Sequence, residues 1–399
     1  MSSLPEHFEE FAEARRNGFL QVKKLKDSGA KIVGTFCQYT PAEIMDAAGL
    51  YQVGLCGKSA APIPAAETRL PSNLCPLIKA SYGHALEDSC PYAYFSDMVM
   101  GETTCDGKKK MYEMLGEIKP MYVIHLPNVP DKRRSLKPWT MEVRAFKENI
   151  EAFFGVEITD EALREAIKWG NKERIQAARI YELGKLDPPA ITGMQMRHVL
   201  DGEQYMFDKQ SRYDHVEEIL NRCEEDRLQG RGPYQLDEHP LRILISGAGL
   251  GGTEDKTIGV IEELGAAVVC YEGCSGISSR RRLIEESDTK DPIECIAEKY
   301  LEVPCAVMSP NDRRMEQVRD TIIEWKIDGV VHVNLHSCHP FGIESQRIAK
   351  VCAGMDIPFL RIETDFYPND AGQIRTRIEA FLELLEDNRI TRKESENHE

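Results

Sequence analysis

The run Asp97-Met-Val-Met-Gly-Glu-Thr-Thr-Cys105-Asp-Gly-Lys-Lys-Lys-Met-Tyr112 changes character at its midpoint. Up to Gly101 it is apolar and unbroken, as in a strand buried on both faces; beyond Asp106 it takes on helical spacing. Cys105 sits at the joint. In an open parallel sheet that joint is the carboxyl edge, where ligands bind. The same succession of strand, cysteine and helix recurs along the chain. It predicts an α/β protein with two parallel-sheet domains and a helical segment between them.

Outward from this stretch, Gly29 ends an amphipathic pattern over residues 3–29, and Lys31 to Phe36 predicts a first strand closed by Cys37. Thr40-Pro-Ala-Glu43 reads as a helix start, with Thr40 as N-cap and Glu43 completing a capping box. A second strand ends at Cys56, a loop covers 57–72, Cys75-Pro76 opens a helix, and a further strand covers 119–125. From Pro138 to Arg231 only helical periodicity is found. Strands return at 241–246, 266–271, 303–308, 329–335 and 358–362. The predicted divisions are an N-terminal helix (1–30), a first α/β domain (31–137), a helical segment (138–235), a second α/β domain (240–388) and a polar, frayed tail (389–399).

The chain has 399 residues, 42% of them apolar, and a formal net charge of −16. That balance argues against nucleic acid as a partner. The runs Lys108–Lys110 and Arg280–Arg282 read as solvated helix faces. No run reaches the length of a membrane span and no signal peptide is evident, so a soluble, cytoplasmic protein is expected. Twelve cysteines then stand out, because that compartment disfavours disulfides. No C-x-x-C pair or zinc-finger spacing occurs, so any metal site must be assembled from distant segments.

Four cysteines fall at predicted carboxyl ends of strands: Cys37, Cys105, Cys274 and Cys338. Cys75 precedes a helix start, where thiolates are favoured. Cys305 lies near the predicted 303–308 strand, and Cys56 and Cys90 divide evenly between loop packing and a role. Cys223, Cys270, Cys295 and Cys352 lie inside elements and read as packing. Thiolates without histidine spacing suit iron–sulfur clusters or zinc. Glu102, His336 and His339 flank these positions as candidate proton donors to a substrate. A competing signal is Gly247-Ala-Gly-Leu-Gly-Gly252, a dinucleotide fingerprint with Glu272 as its ribose acid, or simply a tight glycine turn.

Several motifs together resemble the 2-hydroxyacyl-CoA dehydratase and benzoyl-CoA reductase superfamily, and within it the double-cubane cluster proteins. They are Gly34-Thr-Phe-Cys37-Gln-Tyr-Thr-Pro-Ala-Glu-Ile44, Leu74-Cys75-Pro-Leu-Ile-Lys-Ala-Ser-Tyr-Gly83, Gly101-Glu-Thr-Thr-Cys105-Asp-Gly-Lys, Pro304-Cys305-Ala-Val-Met-Ser-Pro-Asn311 and Ile362-Glu-Thr-Asp-Phe366. The resemblance implies a four-iron cubane on Cys75, Cys105 and Cys338. The double-cubane branch adds a second, bridged by sulfide into an 8Fe-9S core, on Cys37, Cys274 and Cys305. It further implies two flavodoxin- or Rossmann-like parallel-sheet domains with a helical insertion, a homodimer, and electrons from a separate homodimeric, ATP-hydrolysing 4Fe-4S activator. The expected activity is reduction of a small or activated substrate. The alternatives are a 2-hydroxyacyl-CoA dehydratase subunit with one 4Fe-4S cluster, acting through a ketyl radical, and an NAD-binding oxidoreductase.

Overall fold

The computed structural model describes residues 17–396, apart from 19, 249, 250, 275 and 278–280. It contains two four-stranded sheets, parallel throughout. The first holds β1 (Ile32–Thr35), β2 (Tyr51–Gly54), β3 (Met98–Glu102) and β4 (Met121–Ile124) in the order β2-β1-β3-β4. The second holds β5 (Arg242–Gly247), β6 (Ala267–Gly273), β7 (Gly329–Leu335) and β8 (Phe359–Thr364) in the order β6-β5-β7-β8. Each sheet therefore runs second strand, first, third, fourth, the flavodoxin-like order. The chain reverses direction across the sheet between β1 and β3, and again between β5 and β7.

Burial explains the composition of the strands. Every residue of β3 and of β7 is buried, and both are continuous runs of branched or sulfur-containing side chains with few polar interruptions. Between the sheets the chain forms four helices: Lys132–Phe154, Asp160–Lys185, Gly193–Gly202 and Lys209–Leu228. Asp131 caps the first, accepting from the Arg133 amide at 2.9 Å, and Thr159 caps the second as its sequence suggests.

These helices do not form a separate layer. Trp139, Val143, Phe146 and Ile150 pack with Met98, Met100 and Ile124 of the first sheet. Ala177, Ile180 and Tyr181 pack with Ile243, Val268 and Cys270 of the second. The chain also crosses back late. Ile284, the Pro292–Leu301 helix, Val303 and Met308 complete the core of the first half, although they follow β6 in sequence.

Several local expectations change. Residues 303–308 form no strand but a turn, in which the Met308 amide donates to the Cys305 carbonyl at 3.0 Å. Pro304 and Pro310 bracket this segment and lack the amide a ladder requires. Thr40 does not cap its helix: Pro41 precedes Ala42–Ala47, and the Thr40 hydroxyl instead donates to Glu102 Oε1 at 2.5 Å. The 57–72 loop contains a short helix, Ile63–Ala66. The helix expected beyond Asp106 begins at Asp106 itself and runs to Leu115, with Asp106 paired to Lys109. The final helix, Ala371–Glu396, continues into the tail expected to fray, of which residues 397–399 lie outside the described residues. Of the expected N-terminal helix, residues 20–27 are helical and residues 1–16 and 19 lie outside the described residues.

Candidate active site

The carboxyl edges of both sheets open onto one cleft of about 1140 Å3. Cys37, Cys75, Cys105, Cys274, Cys305 and Cys338 all line it, and Cys56, at the end of β2, lines it too. Topology accounts for this. Cys37, Cys56, Cys105, Cys274 and Cys338 each stand one to three residues beyond a strand. In parallel sheets those ends share one rim. The four cysteines assigned to packing do not line the cleft, and Cys223, Cys270, Cys295 and Cys352 are all buried.

Three of the cleft thiols share a further feature. Cys75, Cys105 and Cys338 occupy the N-cap positions of the helices Pro76–Leu86, Asp106–Leu115 and His339–Ala353. The unpaired amides and positive dipole ends of three helices thus meet in the cleft, an environment that favours anionic sulfur. Cys75 shows the effect. A hydrogen bond from Cys338, followed by the amides of Leu77 and Ile78, lowers its thiol to about 7 against the cost of burial. Cys338, the donor of that bond, is raised in turn. The contact also joins the halves, since Cys75 belongs to the first and Cys338 to the second.

Burial holds three others, Cys37, Cys274 and Cys305, in protonated form. Burial raises Cys274, and burial pushes Cys305 up to about 12. Cys37 is reachable from the open cleft, yet desolvation by the surrounding protein raises its thiol well above the usual range. Its backbone lies in the left-handed region, at φ 58°, as does that of Ser337 beside Cys338. Non-glycine residues rarely adopt this conformation, and such strain clusters at functional sites.

The candidate proton donors are divided. His339 lines the cleft. His336 lies outside it, half exposed, with Nδ1 3.3 Å from Glu363 Oε1. Glu102 is fully buried and does not reach the cleft surface. Its Oε1 accepts the Thr40 amide at 2.6 Å as well as the Thr40 hydroxyl, and burial lifts its carboxyl to about 7.

The glycine fingerprint has a different explanation. Gly249 lies outside the described residues. A Cβ on Gly251 would meet Lys58 Cδ at 2.1 Å, and one on Gly252 the Lys58 carbonyl oxygen at 2.3 Å. These glycines let the first half pack against the second, and Lys58 fills the space beside the turn. Glu272 is not free for a ribose either: both its oxygens accept from Arg314, at 2.7 and 2.8 Å, and Oε2 also accepts from Ser246.

Sequence reasoning missed Lys108. The Lys108–Lys110 run divides: Lys109 and Lys110 pair with Asp106 and Glu113 on the helix surface, whereas Lys108 is buried in the cleft wall. Its Nζ donates to Cys37 Sγ at 2.7 Å. The available signal was its place one turn after Cys105, on the face of the helix that points back over its N-terminus. Arg281 and Arg282 do pair with acidic residues near the surface, as expected, and Arg280 lies outside the described residues.

The family model described as 2-hydroxyglutaryl-CoA dehydratase, D-component, matches residues 37–385, from the first cleft cysteine to the last helix. The chain belongs to this dehydratase family. It is 43% identical to Escherichia coli YjiM, provisionally named a dehydratase subunit, over 96% of this chain and 99% of that one. It is 26% identical to the (R)-phenyllactyl-CoA dehydratase beta subunit of Clostridium sporogenes, over 96% and 100%. With the (R)-2-hydroxyglutaryl-CoA dehydratase beta subunit of Acidaminococcus fermentans the identity is 22%, over 94% and 98%. The superfamily indicated by the motifs is thus the right one, and its members are dehydratase and reductase components.

Among the described residues no three His, Cys, Asp or Glu side chains could hold one metal ion together. A single tetrahedral ion needs thiolates roughly 4 Å apart, from bonds of about 2.3 Å. The thiols here line a cleft instead, and a donor set dominated by sulfur fits a multi-iron core. Among the described residues no helix is long and apolar enough to cross a membrane.

Proposed function

We propose that this dehydratase-family chain is an iron–sulfur reductase component. Cys37, Cys75, Cys105, Cys274, Cys305 and Cys338 hold a double-cubane 8Fe-9S core in the cleft. The observation that carries this reading is that six cysteines from six separate segments line one cleft, three of them at helix N-termini. When bound, such a core stores and transfers electrons at low potential. The residues around it have separate tasks. The helix amides at Cys75, Cys105 and Cys338 favour anionic ligands. The buried walls, formed by residues such as Ile78 and Leu335, keep the dielectric low. His339 is the one proposed proton donor that faces the cleft.

The electrons come from a separate ATP-hydrolysing iron–sulfur activator, and the substrate is a small or activated molecule. The protein works as a homodimer in the cytoplasm. This part rests on the family, whose model is named for one component of a dehydratase.

A second reading has its own support. Among the cleft cysteines only Cys75, Cys105 and Cys338 share the N-cap position, and these three suffice for one 4Fe-4S cluster in a 2-hydroxyacyl-CoA dehydratase subunit. Iron and acid-labile sulfide counts on anaerobically purified protein separate the two. About eight irons per chain supports the double cubane, and about four supports the single cluster. A chain purified anaerobically without iron refutes both.

A further inference from the structure

Lys108 is a buried cation of the cleft wall, and among the described residues its Nζ pairs with no carboxylate. Its side chain is 5% exposed, and among the described residues its Nζ has one strong partner, Cys37 Sγ at 2.7 Å. Phe36 lies beneath it, with the ring centroid 5.4 Å from Nζ. Other buried cations are differently placed: in the cleft wall Arg174 pairs with Glu43 and Arg197 with Asp201. Arg314 is held by Glu272 and Glu344, so its charge is more than balanced. An ammonium out of water and without a counter-ion is strongly disfavoured. Glu102 feels the charge of Lys108 but is bonded to Thr40 rather than to Nζ, so an anion on the cleft side completes the arrangement.

We propose that Lys108 is the fixed counter-charge of the thiol cage and a positioning residue that raises the reduction potential of the iron–sulfur core held there. This rests on the reading of the cleft as an iron–sulfur site. Metal-bound sulfur is a thiolate, so loading the cage places the missing anion against Nζ. A donor to ligand sulfur withdraws electron density and stabilises the reduced, more negative state of a cluster. Lys108 also spans two ligand segments. It belongs to the first turn of the helix that begins after Cys105, and it reaches the loop carrying Cys37.

The test compares anaerobically purified full-length wild type, K108M and K108R. It reads iron content and the midpoint potential, the latter by redox titration followed by electron paramagnetic resonance. The expected result is full iron in all three, a midpoint shifted to more negative values in K108M, and a midpoint near wild type in K108R. Loss of iron from K108M with retention in K108R also supports the counter-charge. An unmoved midpoint in iron-replete K108M overturns the proposal while leaving the iron–sulfur reading intact. Loss of iron from both variants marks a packing role and overturns it as well. Wild type without iron overturns the parent reading, and this one with it.

Discussion

Arg314 Nε donates to Glu272 Oε1 at 2.7 Å, at a point where neither residue is more than 1% exposed. Around this pair the second half fastens its thiol-bearing segments. Glu272 precedes Cys274, Glu344 lies in the helix after Cys338, and Asn311 donates both to Glu344 at 2.8 Å and to the Cys305 carbonyl at 3.0 Å. Replacing Arg314 with Met leaves two buried carboxylates uncompensated and should cost about 3–5 kcal/mol. Replacing Glu272 with Gln leaves Arg314 paired with Glu344 and should cost less, about 1–3 kcal/mol. Urea denaturation of the two variants checks the order, and equal losses refute the account.

His332 makes acid stability informative. It is fully buried on β7, with Nδ1 3.2 Å from Ser246 Oγ and Nε2 without a partner. Burial first, then the charges of Arg314 and Arg361, lower its pKa from 6.5 to about 3. The unfolded chain therefore takes up a proton below pH 6.5 that the folded chain refuses until about pH 3. Stability falls as pH drops through that window, by about 1.4 kcal/mol per unit from this residue. In His332→Gln that component should vanish. Urea melts at pH 4, 5, 6 and 7 should give a flatter dependence than in wild type, and parallel curves would exclude the assignment.

Gly247 tests the close packing at the end of β5. Its φ is 123°, and a Cβ there would lie 1.9 Å from the Val333 carbonyl oxygen on the neighbouring strand. Backbone cannot yield as a flexible side chain can, so Gly247→Ala should lose at least about 1–3 kcal/mol. With Lys58 filling the turn beside Gly251 and Gly252, NADH titrated into wild type should give no saturable change in its fluorescence. Saturable binding would restore the dinucleotide reading.

Cysteine variants separate the two cluster readings by segment. With a double cubane, Cys37→Ser or Cys305→Ser should lose roughly half the iron. With a single cluster, both should keep it, while Cys75→Ser, Cys105→Ser and Cys338→Ser should each lose it. Iron counts per chain on anaerobically purified variants give the answer directly.

The convergence of the thiols was legible because it follows from topology alone. Once strands ending near Cys37, Cys105, Cys274 and Cys338 are recognised as parallel neighbours, their shared rim needs no side-chain detail. What depends on tertiary competition was not legible. Thr40-x-x-Glu43 and Thr192-x-x-Gln195 carry the same capping pattern, but only the second forms the box. At the first site buried Glu102 takes the Thr40 hydroxyl, and Arg174 and the Tyr300 hydroxyl take Glu43. Lys108 was hidden among lysines identical in type, because burial depends on which side of one helical turn faces the rim. Val303 to Met308 is an unbroken apolar run such as a buried strand shows, but Pro304 within it and Pro310 after it leave only a turn, pinned where the Tyr39 hydroxyl donates to the Val303 carbonyl at 2.7 Å.

The late return of Ile284 to Met308 into the core of the first half laces the two lobes like a strap through a buckle. A gene cut at residue 235 would yield an N-terminal product missing part of its own interior, and a C-terminal product with an oily strap and nothing to wrap. Exchanging lobes between relatives therefore calls for a three-piece graft that carries this strap with the N-terminal lobe. The same lacing ties any parting of the lobes to disruption of that shared interior.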